Sequence, residues 1–208
     1  MRSCPICESP KRELVIPKYN SPTWELFRCK CGMLYVDSHD ATEEKMNQFY
    51  LSNYQSSDGE PAAIRLDSLA SFIRDVCLPP MMDIGGEDNE LAKRIALPID
   101  ISGAGAVFTK QYATFILSHT LEHVYNVPGM MQKIKDYILP RGLVVIEVPI
   151  WKGDEDLHKY DYHHLHLNKF TPDKLEELFR KHGFSIELSG YLPRYIEYDC
   201  YRLLARHA

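Results

Sequence analysis

Two pairs of cysteines near the N-terminus carry the plainest chemistry in this sequence. Cys4-Pro5-Ile6-Cys7 and Cys29-Lys30-Cys31-Gly32 each set two thiols on a tight turn. Short cysteine pairs are how a chain brings four soft donors to one tetrahedral ion. Four thiolates close the coordination sphere, so the expected ligand set is Cys4, Cys7, Cys29 and Cys31 around a structural zinc. The second pair has one spacer residue where two are usual, and Gly32 suits the turn after it. So small a segment cannot hold itself together by a core, so the metal's role is folding. Four unrelated reduced thiols are the plain alternative. Cys77 and Cys200 stand apart and read as small buried hydrophobes.

The second set mixes acids, glycines and histidines. Met81-Met82-Asp83-Ile84-Gly85-Gly86 is a short apolar run ending in an acid and two glycines, before a helix-like stretch at 90–97. Strand, glycine turn and helix open a nucleotide-type site in a parallel sheet. Glycine lets the backbone turn sharply and be approached closely, and exposed helix N–H groups favour an anion. An ordinary turn is the competing reading. Asp100 closes a second short strand at 97–101, where a carboxylate could accept from both hydroxyls of a ribose; a plain loop acid is the alternative.

Histidines supply candidate proton acceptors, since imidazole titrates near neutrality. Ser118-His119-Thr120-Leu121-Glu122-His123-Val124 runs off the end of a buried strand. Residues 155–166 form a polar, aromatic insertion with His158, His163, His164 and His166. His164 and His166 lead as catalytic bases, with His123, Glu122 and Glu147 behind them. Against this stand a histidine loop merely packed over the sheet, and strand-end hydrogen bonding for Glu122 and His123. A second zinc or iron on His158, His163, His164 and His166, with Asp154, Asp156 or Asp161, has the right ligand types but no recognisable spacing.

The elements that must position these groups follow from pattern. Strands are expected at 13–17, 24–28 and 33–36, with Asn20-Ser21-Pro22 as a turn. A helix starts after Asp40 or Thr42, either of which could cap it. Residues 56–61 read as a linker. Leu66, Leu69, Ala70, Ile73 and Val76 give the next helix one apolar face. Continuous apolar strands at 112–118 and 143–149 enclose a helix at 128–139, with Met131, Ile134, Tyr137 and Ile138 inward and Pro140-Arg141-Gly142 as a turn. Thr171-Pro172-Asp173 starts a further helix, stopped by Gly183. Strands at 184–188 and 198–205 close the chain with antiparallel character at one edge. The alternation predicts an α/β fold with a mostly parallel sheet covered on both faces.

Composition narrows the class. The 208 residues are 45% hydrophobic and 25% charged, as in a globular chain. A net charge of -5 argues against a nucleic-acid surface. No apolar run approaches the length of a membrane span, and the N-terminus lacks the apolar region of a signal peptide. The expected setting is the cytoplasm, where thiols stay reduced, and the sequence leaves the oligomeric state open.

Taken in order, these stretches resemble the class I S-adenosylmethionine-dependent methyltransferases. Within them they resemble a subgroup with an N-terminal zinc ribbon that includes sugar C-methyltransferases. Cys4-Pro5-Ile6-Cys7 and Cys29-Lys30-Cys31-Gly32-Met33-Leu34-Tyr35-Val36 resemble the ribbon. Met82-Asp83-Ile84-Gly85-Gly86 resembles the first cofactor motif, and residues 118–124 the fourth-strand motif. His164-Leu165-His166-Leu167-Asn168-Lys169-Phe170-Thr171 resembles the subgroup's His-x-His segment.

The resemblance implies a Rossmann-like methyltransferase fold at 63–208, a zinc ribbon at 1–40 and a helical connector at 41–62. It implies S-adenosylmethionine as cofactor, held by Asp83, Gly85, Gly86, Asp100, Ser118 and His119. A sugar or nucleotide-sugar is the expected acceptor class. Two departures stand out. Glu87 and Asn89 occupy positions where the family carries glycines, and residues 102–111 leave too little chain for the usual helix and strand, so one sheet edge is expected to be trimmed. These departures motivate the alternative of a degenerate binding or scaffold protein.

Overall fold

The computed structural model describes residues 2–17, 24–53, 60–86, 89–103, 108–152, 166–192 and 199–208. The N-terminal part is an antiparallel sheet of β1 (Arg12–Ile16), β2 (Trp24–Cys29) and β3 (Leu34–Ser38), with β2 in the middle. Side chains alternate across it, as the two-residue period of a strand requires. Leu26, Leu34 and Val36 pack with Met46 and Trp151 on one face, while Phe27 and Tyr35 join the main core on the other. The expected turn at Asn20-Ser21-Pro22 lies outside the described residues.

Helix α1 (Glu43–Asn53) follows. Of its two expected caps, Thr42 is the one used: its Oγ1 accepts from the Lys45 amide at 3.2 Å. Helix α2 (Glu60–Val76) buries Leu69, Ala70 and Ile73, but Val76 at its last turn is 36% exposed, off the expected apolar face. The expected linker at 56–61 falls largely outside the described residues.

The main sheet has the order β5-β4-β6-β7-β10-β9. Strands β4 (Met81–Ile84), β5 (Ile99–Ser102), β6 (Tyr112–Ser118) and β7 (Ile138–Pro149) run parallel. Strands β9 (Phe184–Tyr191) and β10 (Cys200–His207) supply the expected antiparallel edge. Among the described residues β5 is the opposite edge, so the sheet is trimmed where the short middle predicts it. Phe108 is buried beside it, against Tyr112, Phe115 and Tyr137.

Both faces of this sheet are covered. Met82, Phe115, Leu117, Val144, Ile146 and Leu203 point to one core, whereas Met81, Ile116, Val145 and Leu204 point to the other. The first face receives α4 (Val127–Tyr137) and α5 (Pro172–Lys181); the second receives α2 and α3 (Glu90–Ile95). Asn126 and Thr171 cap α4 and α5 by accepting from Gly129 and Lys174. Met131 and Ile134 are buried as expected, but Tyr137 is 36% exposed.

Two features depart from the sequence pattern. The turn at Pro140-Arg141-Gly142 is absorbed into β7 as an excursion. Ile138 pairs with Tyr112 and Leu143 with Thr114, so four residues of β7 oppose one of β6. The other is β8 (Asn168–Lys169), which pairs antiparallel with β3 and makes the N-terminal sheet four-stranded. Arg2 reinforces that junction. Its guanidinium donates to the Val36, Tyr125 and Leu167 carbonyls and lies against the Tyr35 and Tyr125 rings. Among the described residues no helix is long and apolar enough to cross a membrane.

Candidate functional site

The turn after β4 is fixed by what leans on it. Gly85 has φ +90°, and a Cβ there would stand 2.3 Å from Thr120 Oγ1. Only glycine meets both demands without strain. Gly85 donates its N–H to the Ser102 carbonyl at 2.7 Å, tying the turn to β5. Thr120 Oγ1 donates to the Ile84 carbonyl at 2.8 Å, tying it to the segment after β6. A Cβ on Gly86 would stand 2.1 Å from Asp83 Oδ2, so the buried Asp83 carboxylate lies directly over that glycine. Glu87 lies outside the described residues. Asn89, the other departure from the glycine pattern, has φ +60°. That is the left-handed conformation a glycine would adopt, and asparagine tolerates it better than most residues.

Asp100 is not brought to this turn. Strand β5 runs on to Ser102, and Asp100 pairs with Met82 rather than with the end of β4. Its carboxylate pairs with Lys110 Nζ at 2.9 Å and accepts from Tyr112 Oη at 2.9 Å, which hold its pKa below the usual carboxylate range. The strand end expected at Asp100 is occupied by Ser102.

Beyond β6 the expected residues do converge. His119 takes φ +53°, uncommon for a residue with a side chain, and donates its backbone N–H to the Glu147 carbonyl at 2.9 Å. Leu121–His123 form a 3-10 turn. This turn carries Glu122 into the interior, where its side chain is fully buried. Among the described residues neither carboxylate oxygen has a hydrogen-bond partner. The nearest basic groups are His119 Nδ1 at 3.6 Å and His123 Nε2 at 3.8 Å from Oε1. Burial pushes the Glu122 pKa up to about 8, against the pull of its own backbone N–H and the charges of Arg65 and Lys169. His166 closes the group: its ring lies 4.8 Å from that of His123, edge to face. Glu122, His123 and His166 each offer a donor atom within 4.8 Å of the others. His158, His163 and His164 lie outside the described residues.

Asn168, Arg65 and Arg202 organise this rim and escaped the sequence reading. Asn168 is buried, and its Nδ2 donates to the carbonyls of Leu121 at 3.0 Å, Glu122 at 3.4 Å and Val124 at 2.8 Å. It fixes the turn that presents Glu122 and His123, two residues after His166. The signal available was its place in the His-x-His segment. Glu147, a catalytic candidate of second rank, is clamped instead. Arg65 Nη1 reaches its Oε2 at 2.8 Å, and Arg202 reaches its Oε1 through Nε at 2.8 Å and Nη2 at 2.5 Å. Arg65 also donates to Ser118 Oγ at 2.6 Å. Arg65 stands four residues before Leu69, on the buried side of α2, and a charge on an apolar face was the available sign.

The four N-terminal thiols meet as their spacing predicts. Cys4 Sγ lies 3.6 Å from Cys31 Sγ, and Cys7 Sγ 3.4 Å from Cys29 Sγ, with all four unbridged. Sulfurs bound at about 2.3 Å to a tetrahedral zinc stand roughly 3.8 Å apart, so the group fits that ion after a small expansion.

A family model described as a methyltransferase domain matches residues 38–189. The chain belongs to the methyltransferase domain family. The matched stretch contains the glycine turn, the Glu122 turn, β8 and α5; β1, β2 and the cysteine pairs precede it. No curated protein matches the chain. Among solved structures, a 1,6-didemethyltoxoflavin N1-methyltransferase from Burkholderia thailandensis, with its substrate and S-adenosylhomocysteine bound, is 13% identical with a TM-score of 0.64. The alignment covers 95% of this chain and 99% of that one. The N-methyltransferase NodS from Bradyrhizobium japonicum WM9, in complex with S-adenosylhomocysteine, is 11% identical with a TM-score of 0.55, covering 81% and 99%. The [4+2]-cyclase SpnF is 14% identical with a TM-score of 0.60, covering 80% and 97%. At these identities the likeness is one of fold, and the cyclase shows that the fold alone does not fix the reaction. The methyltransferase domain of this chain thus has a Rossmann-like α/β architecture with a mostly parallel sheet.

Proposed function

We propose that this chain is an S-adenosylmethionine-dependent methyltransferase acting on a small molecule, with a sugar or nucleotide-sugar as the first acceptor class to try. The observation that carries the reading is the meeting of two features on one rim of a methyltransferase domain. Thr120 bonds the glycine turn to the very segment that presents Glu122 and His123 to His166. Open parallel sheets bind their ligands at this C-terminal edge.

In this reading Asp83, Gly85 and Gly86 form the cofactor side of the rim, with Ser118 and His119 flanking it. Asp100 joins them only by exchanging Lys110 and Tyr112 for ribose hydroxyls. Bound there, S-adenosylmethionine would supply an electrophilic methyl group, its sulfur keeping the electron pair of the bond given up. The protein's part is to hold the acceptor in line and take its proton. His166 is the leading acceptor of that proton, with His123 beside it and Glu122 behind; His164 keeps its place as a second candidate.

The four cysteines hold a structural zinc, and residues 1–40 form a ribbon joined through a connector at 41–62 to a methyltransferase domain at 63–208. The reading is tested by titration calorimetry with S-adenosylhomocysteine. One saturable site per chain is expected, and the absence of binding at millimolar ligand overturns it.

A further inference from the structure

We infer that Glu122, His123 and His166 form a second metal site, distinct from the four cysteines, that takes one divalent transition-metal ion and leaves coordination positions open. The inference starts from Glu122. A carboxyl group with no exposed surface, whose two oxygens find no hydrogen-bond partner among the described residues, is costly to bury, and native structures supply such groups with a partner. The imidazoles of His123 and His166 offer it company: their donor atoms and the carboxylate lie within 4.8 Å of one another.

Donors at about 2.1 Å from a tetrahedral ion stand roughly 3.4 Å apart. His123 Nε2 is 3.8 Å from Glu122 Oε1, and all three donors lie within 4.8 Å of one another, so each pair has at most about 1.4 Å to close. Two nitrogens and one carboxylate oxygen suit zinc or iron(II). Three protein ligands are the count of a site that keeps a place for a substrate atom, in contrast to the closed set of four thiolates.

Arg65 and Lys169 bring positive charge nearby, but Arg65 is spent on Glu147 and Ser118, and Lys169 lies against the Trp151 ring. The frame is rigid on both sides. Asn168 pins the turn bearing Glu122 and His123, and β8 pins the chain just after His166. On the methyltransferase reading, the open positions face the acceptor. An acceptor hydroxyl or enol oxygen bound to the cation would be the ligand class, with its proton made more acidic by the ion. His123 and His166 are then ligands; without the ion, His166 takes the proton itself.

The test is zinc content of the full-length protein after equilibration with excess zinc and removal of loosely bound ion, together with calorimetric titration of zinc. Wild type should hold two zinc ions per chain, and E122Q and H166A one each. Cobalt added to protein with a zinc-filled cysteine site should give absorption bands without thiolate charge transfer, and these should vanish in both variants. Melting curves check that each variant is folded, and E122Q is close to isosteric. A wild type holding a single zinc, or an E122Q protein holding two, overturns the second site. Zinc counting needs neither cofactor nor acceptor. A protein that binds S-adenosylhomocysteine but one zinc loses only this inference; one that binds two zincs but no S-adenosylhomocysteine loses only the methyl-transfer reading.

Discussion

Gly85 and Glu147 show how closely single residues are tied to this rim. Replacing Gly85 by alanine puts a methyl group 2.3 Å from Thr120 Oγ1 on a backbone at φ +90°. The expected cost is about 2 kcal/mol or more of stability, with loss of S-adenosylhomocysteine binding; denaturant melts and calorimetry check both. A G85A protein that binds as wild type would mean the ligand does not use this turn. Glu147 is fully buried between Arg65 and Arg202. E147Q leaves two buried guanidinium groups short of charge and should cost about 3 kcal/mol, read as a lower denaturation midpoint. At this scale the sequence spoke through residue type. Cysteine spacing named four thiols that do meet, and Ser118 to His123 named a segment that does gather. It placed Asp100 at a strand tip, whereas β5 runs on to Ser102 and its register with β4 leaves Asp100 level with Met82.

Among the elements, β8 is the one that joins everything else. Two residues pair with β3, and Asn168 within them holds three backbone carbonyls of the Glu122 turn. N168A should cost about 3 kcal/mol, since buried carbonyls lose their donor. It should also raise the exposure of His123, seen as faster chemical modification or a shifted imidazole resonance. An N168A protein with wild-type stability and an unmoved His123 signal would remove Asn168 from this role. Strand and helix periods were legible over α2, β6, α4, β7 and α5, where long apolar patterns meet clear caps. Strand β8 was not, because two residues carry no period and its pairing is decided by a partner over a hundred positions away. The excursion at 139–142 was half legible: Pro-Arg-Gly announced a turn, but only the bulged register of β6 against β7 shows that the strand continues through it.

Across the whole molecule the cysteine sheet and the larger sheet are linked by β3 to β8 pairing, by Arg2 and by Val36, whose N–H donates to the Leu167 carbonyl at 2.8 Å. If the four cysteines hold zinc as proposed, its loss should therefore be felt at His166. Chelation is expected to speed hydrogen exchange at the Val36 amide and along β8, as well as in β1 and β2; unchanged protection at Val36 would show that the two sheets hold independently. The fold class was readable because alternating strands and helices admit few arrangements, and the trimmed edge was readable from a shortfall of residues. The joining of the two sheets was not, since it rests on Arg2 and Asn168, single polar residues without a pattern of their own. Cofactor and acceptor are proposed to meet between Gly85 and the Glu122 turn. A crystal structure with S-adenosylhomocysteine tests this most directly: it should show the adenosyl group beside Asp83, Gly85 and Gly86 with its sulfur turned toward His123 and His166, whereas a ligand seated elsewhere, or none at saturating concentration, would contradict the claim.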